Sequence, residues 1–252
     1  EKKLNFDIEN YKKFKDKIIY LVIENEPENL LKIEKTNDSA GIQRSNSLKR
    51  IEQSYEVLQK GINEAEENDL ILLSDNDEIP NLESIKFKNS KKDILIFRQL
   101  FFYYKFNLLN DTMFWYGTKA CKKKKLISMP WLRNIKNKKY PLWRLDTFFS
   151  NKKYTSLDIV EDGGWHFTNL KSPEDLLEKM KNFGHHNEFD KSGLGLEDIR
   201  KKIEKHELFY DHTLDQSSSK KWNSDYKLKK TELNILPKYI RENISNLKDW
   251  LA

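Results

Sequence analysis

The chain is poor in sulfur, with one cysteine, Cys121, in 252 residues. A single thiol excludes an intramolecular disulfide and any metal cluster built on cysteines. Four lysines follow Cys121, but without a clear histidine partner the sequence does not mark it as an activated nucleophile. Long apolar runs are also missing. None approaches the roughly 20 residues needed to cross a bilayer, and no leader with an apolar core opens the chain, so it reads as neither anchored nor visibly exported. No internal repeat is found.

What is present describes a soluble, highly charged globular protein rather than a disordered one. Hydrophobic residues make up 37%, charged residues 34% and aromatics 12%, with a mean hydropathy of -0.83; disordered chains are poor in aromatics. The length permits one substantial core and one or two domains. Lys and Arg number 46 against 40 acids, a net charge of +6 with a pI near 9.0. That balance suits anionic partners such as nucleotide sugars, nucleic acids, anionic glycans or lipid head groups, and it does not choose among them.

The most informative stretch is ILLSDNDEIP, Ile71 to Pro80. A short apolar run, Leu70 to Leu73, predicts a strand buried on both faces, and carboxylates follow it immediately. Ligands bind outside the carboxyl ends of strands in open α/β sheets. Asp75 and Asp77 are two apart in a turn, so both can point at one hard cation that also holds phosphate oxygens. A solvated acidic turn and a metal-dependent phosphohydrolase are alternative readings of the same residues. An EF-hand loop is not, because Pro80 and Lys86 stand where Gly and Glu are required.

Elsewhere, Ile18 to Ile23 predicts a central strand, and Glu24 to Ser47 a long loop. Ile51, Tyr55, Leu58, Ile62 and Ala65 predict one apolar face of a helix over 48–65. That helix leads into the Leu70 strand as part of a strand, helix, strand unit of a parallel sheet. Ile94 to Phe97 predicts a buried strand, followed by a dense aromatic row, Phe101 to Phe106, read as core in preference to a stacking surface for sugars or bases. A further strand is expected over Thr112 to Tyr116. Trp131, Arg133, Trp143 and Arg144 mix aromatic and guanidinium groups of the kind that recognise glycans or diphosphates. In EDGGWHFTNL, Gly163 and Gly164 allow unusual backbone angles or a close approach, and Trp165 and His166 add a flat face and a titratable ligand. Taken alone, His166 reads as a packed histidine. Ser172, Pro173 and Asp175 form a helix start with Leu176, Leu177, Met180 and Phe183 buried and an end at Gly184. His185 and His186 follow, as favourable charge at a helix C-terminus or as ligands. A helix over about 196–208, a linker at Gln216 to Ser219 and a closing helix over 237–251 complete the chain.

Taken together, KKLNFDIENYKKFKDKIIY, NDLILLSDNDEIP, FFYYKFN and GGWHFTNL with the following KMKNFGHHNEF resemble, in that order, the family 17 glycosyltransferases, a group that includes the enzyme adding bisecting N-acetylglucosamine to N-glycans. The Asp75–Pro80 and Gly164–Thr168 matches are the specific ones. The resemblance implies an α/β fold of the GT-A type, a Rossmann-like mixed sheet flanked by helices, with residues 1–215 as the transferase domain and 216–252 as a linker and closing helix packed on it. It implies transfer of a sugar, N-acetylglucosamine for the family, with inversion from a UDP-sugar to a glycan hydroxyl. The acceptor classes are an N-glycan, a lipopolysaccharide or another polysaccharide; nucleic acid is not an expected partner. By the same resemblance Asp75 and Asp77 hold a divalent cation, Mn²⁺ or Mg²⁺, while Arg98, Trp165, His166, His185 and His186 contact the donor. Glu78, Asp146 and Asp162 are the candidates for the catalytic base. The expected compartment is the cytoplasm for a microbial or viral chain and the Golgi lumen for a fragment of a eukaryotic membrane-anchored enzyme, the first being preferred. Two departures stand out. The family's first nucleotide-binding strand, with its terminal glutamate, is not in this chain, and Ser54 and Tyr55 stand where a Gln-Arg pair is expected. A degenerate transferase fold that binds glycans or nucleotides without turnover is therefore the alternative.

Overall fold

The computed structural model describes residues 6–32, 39–182, 186–214, 221–222 and 224–252, and it is a mixed α/β fold with two mixed sheets flanked by helices. The first sheet has the order β1-β6-β3-β7, with β1 Leu70–Leu73, β3 Ile94–Phe97, β6 Lys119–Lys122 and β7 Leu157–Val160. The second has the order β2-β8-β4-β5-β9, with β2 Glu78–Pro80, β4 Leu100–Tyr103, β5 Leu108–Leu109, β8 Gly164–Thr168 and β9 Lys229–Lys230. β3 pairs in parallel with β7, and β4 with β8; the other ladders are antiparallel.

Three stretches of chain pass from the first sheet into the second with only a few residues between: β1 into β2, β3 into β4, and β7 into β8. The sheets therefore meet along a seam made of residues 74–77, 98–99 and 161–163. Across it, Arg98 N donates to Val160 O and Gly163 N to Arg98 O, each at 3.0 Å, and Asn81 N donates to Gly163 O at 3.0 Å. The two glycines permit this closeness. A Cβ on Gly163 would overlap the Arg98 backbone, and Gly164 has φ +110° with Ile79 O where its Cβ would stand, a conformation that L side chains rarely adopt.

Apolar patterning places the helices. Ile94–Phe97 is buried throughout because β3 lies between β6 and β7 with both faces covered, the environment that a continuous apolar run suits. One face packs Ile94 and Ile96 with Ile71, Leu73 and with Trp131 and Leu132 of α3, Met129–Asn134. Here α1, Ser39–Leu58, contributes Tyr55. The other face packs Leu95 and Phe97 with Phe87 of α2, Ile85–Asn89. In the second sheet, Phe101 and Tyr103 pack against Leu176 and Met180 of α4, Pro173–Asn182, and Ile199 of α6, Leu196–Glu204. α5 spans His186–Ser192. The opposite face, with Phe102 and Phe167, is covered by Leu236 and by Ile240 of α7, Lys238–Glu242. Each fully buried Phe contributes roughly 2–3 kcal/mol of transfer free energy. α4 starts as its sequence predicts: Ser172 Oγ accepts from Asp175 N at 3.1 Å.

Several expectations are corrected. Ile18 to Ile23 forms no strand; Ile19, Tyr20, Val22 and Ile23 are exposed. A β-branched run favours extended backbone, but a strand needs a partner, and this run has none in either sheet. β1 is an edge strand that packs on both faces but unequally, with Ile71 and Leu73 buried and Leu70 and Leu72 half-buried against Leu95 and Phe97, and no parallel strand-helix-strand unit precedes it among the described residues. The helix expected over 48–65 spans 39–58 and tightens to a 3-10 turn at Gln59–Ile62, with Ile51 and Leu58 exposed. Thr112 to Tyr116 contributes one isolated bridge, Trp115 to Gln99. The closing helix is broken at Asn243 into α7 and α8, Ile244–Leu247. Phe183, Gly184 and the 216–219 linker lie outside the described residues. No helix among those described is long and apolar enough to cross a membrane.

Candidate metal centre

The candidate site lies on the seam. β2 pairs with β8 so that Glu78 stands opposite His166 and Ile79 opposite Trp165. Alternation along β8 then sends His166 to the face of Phe101 and Trp165 to the opposite face. Ligand atoms of Asp77, Glu78 and His166 all lie within 4.8 Å of one another.

Glu78 is buried and both of its carboxylate oxygens accept hydrogen bonds, with Oε1 taking only one. Oε1 accepts from Trp115 Nε1 at 2.7 Å; Oε2 accepts from Asp75 N at 3.1 Å and from Thr118 Oγ1 at 3.3 Å. Thr118 in turn contacts Ser74 Oγ at 2.7 Å and accepts from Gln99 Nε2 at 3.1 Å. Gly117 is required beside it, because a Cβ there would overlap the Glu78 carboxylate and the Trp115 indole nitrogen. His166 stacks on Trp115 at 4.4 Å between ring centroids. Its Nδ1 is buried without a hydrogen-bond partner, 3.5 Å from Asp77 Oδ1.

The electrostatics fit a cation. Burial first, then the charges of Glu78 and Asp75, push the Asp77 carboxyl up to about 6, with Lys179 opposing. Burial, with His212 and Lys179 nearby, pushes His166 down to about 3, so its imidazole is neutral at pH 7, the form that ligates a metal. An orphaned buried nitrogen beside two crowded carboxylates is an O, O, N donor set that a divalent ion would satisfy.

Asp75 is held differently. Tyr55 OH donates to its Oδ1 at 2.7 Å, Arg133 Nε donates to that phenol oxygen at 2.9 Å, and Arg133 Nη2 lies 3.6 Å from Asp75 Oδ2. Burial and the Asp75 bond push Tyr55 up to about 12. Arg133 is positioned by α3, whose end is fixed by buried Lys119: its Nζ donates to Arg133 O at 2.7 Å and also to Ile135 O.

The other sequence candidates are not part of the Asp77, Glu78 and His166 group. Asp146 lies on an exposed turn with Arg144 and Lys153, whose hydrogen bonds hold its carboxyl well below the ordinary range. Asp162 is exposed and accepts from Asn81 Nδ2 at 2.8 Å. The Arg98 guanidinium sits 3.6 Å from the centre of the Phe114 ring and pairs with Glu161. Trp165 donates to Ile235 O at 2.6 Å, against the C-terminal segment. His185 and the side chain of His186 lie outside the described residues.

Asp77 lines a cleft of about 800 Å³ together with Asn169, Lys171, Asp175, Glu178 and Lys179. Asn169 and Lys179 also line a second cavity of about 290 Å³ with Tyr210, His212 and Trp222. Lys179 Nζ donates to Asn169 Oδ1 at 2.7 Å. Sequence reasoning gave no site role to Trp115, Thr118, Lys179, Asp175 or Glu178. The helix start at Ser172 was a signal for the last three of these, since it fixes which residues share one face; nothing local marks Trp115 or Thr118. No family model, curated protein or solved structure matches the chain.

Proposed function

We propose that the chain is a divalent-cation-dependent glycosyltransferase of the GT-A type that moves a sugar, N-acetylglucosamine by the family 17 resemblance, from a UDP-sugar to a glycan hydroxyl. The observation that carries this reading is the Asp77, Glu78 and His166 group beside a cleft that also holds Lys171 and Lys179. Asp77, Glu78 and His166 would hold the cation; when bound, it supplies positive charge to a diphosphate leaving group. Two carboxylates with one imidazole favour Mn²⁺ over Mg²⁺, which prefers an all-oxygen shell.

The chain's own residues do the rest. Lys171 and Lys179 offer ammonium groups to phosphate oxygens. Burial lowers the Lys179 pKa, and an anionic ligand would restore it. The acceptor hydroxyl must lose a proton to a carboxylate in an inverting transfer. Asp175 and Glu178 on α4 line the cleft and suit that role better than Asp146 or Asp162, which are occupied on exposed turns. Glu78 positions the group: its hydrogen bonds fix the turn that carries Asp77.

UDP release from UDP-sugars with an acceptor glycan is expected with Mn²⁺, to stop with EDTA, and to be lost in Asp77→Ala. Turnover that survives both would overturn the proposal. The engagement of Asp75 by Tyr55 and Arg133 favours a second reading, a degenerate fold that binds glycans or nucleotides. UDP-sugar binding without turnover of any sugar nucleotide would select it.

A further inference from the structure

Residues 136–153, KNKKYPLWRLDTFFSNKK, form a loop whose ends are tied together. Lys136 N donates to Lys152 O at 2.8 Å, Tyr140 N to Tyr154 O at 3.4 Å, and Trp131 Nε1 to Asn151 O at 2.8 Å. Inside it the backbone is folded into successive turns: Arg144 N donates to Pro141 O, Thr147 N to Arg144 O and Phe148 N to Leu145 O, each at 3.1 Å. Asp146 clamps the tip by accepting from Arg144 Nε and Nη2 at 2.6 and 2.8 Å and from Lys153 Nζ at 2.6 Å. A loop so tied usually turns its apolar side chains inward. This one presents them outward: Leu142, Trp143, Leu145, Phe148 and Phe149 are 80%, 76%, 72%, 73% and 93% exposed. A contiguous apolar patch on a folded surface marks an interaction site.

The charge around the patch identifies the partner. Lys136, Lys138, Lys139, Lys152 and Lys153 flank it in the sequence and Arg144 lies within it, against one carboxylate already neutralised by two of these cations, a net +5 over 136–153. Trp, Phe and Leu at a tip with Lys and Arg at its base match the two layers of a bilayer surface, acyl boundary and anionic head groups. From this we infer that the loop docks the protein on anionic membranes, with Trp143, Phe148 and Phe149 entering the acyl boundary and the lysines meeting phosphate head groups. This surface is independent of the Asp77 group and requires no spanning segment.

The test is co-sedimentation of the full chain with phosphatidylcholine vesicles, with and without phosphatidylglycerol. Binding is expected only with phosphatidylglycerol, weakening as salt rises. Trp143 emission should shift to the blue on binding, and the shift should be lost in Trp143→Phe. Phe148→Ser with Phe149→Ser should reduce partitioning by at least tenfold, and Lys138→Glu with Lys139→Glu by about fivefold per charge removed. These side chains touch little of the protein, so each variant should melt with the parent. No binding to phosphatidylglycerol vesicles at low salt would overturn the inference. So would binding unchanged by the Phe substitutions, or self-association abolished by them without vesicle binding.

Discussion

The Glu78 carboxylate is the most exacting place to test the seam. In Glu78→Ala, the Trp115 indole N–H and the Asp75 backbone N–H lose their acceptor in a part-buried setting beneath the buried Glu78 side chain. Each buried donor left unmatched costs about 1–3 kcal/mol, so a loss of about 3 kcal/mol is expected, before any cavity term. For a chain of this length each kcal/mol moves the melting point by about 2–4 °C, which places the variant roughly 6–12 °C below the parent. Glu78→Gln separates the two roles of the side chain. It keeps the volume and one acceptor oxygen for Trp115, and should cost about 1 kcal/mol while removing a charged ligand from the Asp77 and His166 group. The assay is thermal and urea unfolding of parent, Glu78→Ala and Glu78→Gln, each with and without Mn²⁺. Mn²⁺ should raise the melting point of the parent alone, because a ligand of the native state stabilises it by mass action. A Glu78→Ala protein as stable as the parent would refute the hydrogen-bond argument; a Glu78→Gln protein stabilised by Mn²⁺ as much as the parent would refute the ligand assignment.

Other expectations follow from single contacts. Burial pushes His212 down to about 4, with Lys221 and Lys179 adding and Asp211 opposing. Since its folded value lies below the unfolded one of about 6.5, this contribution is complete above that pH and is lost as the pH falls toward 4, by up to roughly 3 kcal/mol. Urea unfolding at pH 7 and pH 5 should show a smaller acid loss in His212→Gln than in the parent; the comparison removes the same-signed effect of His166 and the opposite one of Asp77. Gly164→Ala, at φ +110° with Ile79 O where the methyl would stand, should destabilise by about 3 kcal/mol or more, and expression of a protein that melts with the parent would contradict it. Ser172→Ala should cost about 1 kcal/mol through loss of the α4 cap, read by urea unfolding. Tyr55→Phe removes the hydroxyl between Asp75 and Arg133; a stability loss of about 1 kcal/mol and tighter Mn²⁺ binding, as Asp75 is released, are the expected results, read by unfolding and Mn²⁺ titration.

Local chemistry made part of this legible. The ILIF run became a buried strand, Ser172 and Pro173 opened α4, and the Glu78–Pro80 and Gly164–His166 segments met across one ladder. The rest was fixed by distance along the chain. Which way Asp75 turns depends on Tyr55, twenty residues upstream, and on Arg133, far downstream. That Glu78 rather than Asp75 joins Asp77 depends on strand register, which puts Glu78 opposite His166, and on Trp115 and Thr118, which no motif announces. Ile18 to Ile23 misled because propensity describes a residue's preference and not whether a neighbouring strand is there to receive it. The surroundings of Asp146 were hidden for a similar reason: a carboxylate's own sequence position says nothing of the cations that fold back on it.

The three stretches that run through both sheets have a consequence for how the molecule comes apart. Because β1–β2, β3–β4 and β7–β8 are each nearly continuous, the strands that cross the junction are expected to open together rather than one sheet at a time. Amides on both sides of the junction should therefore share one slow exchange rate with deuterated water, set by global opening rather than by local breathing.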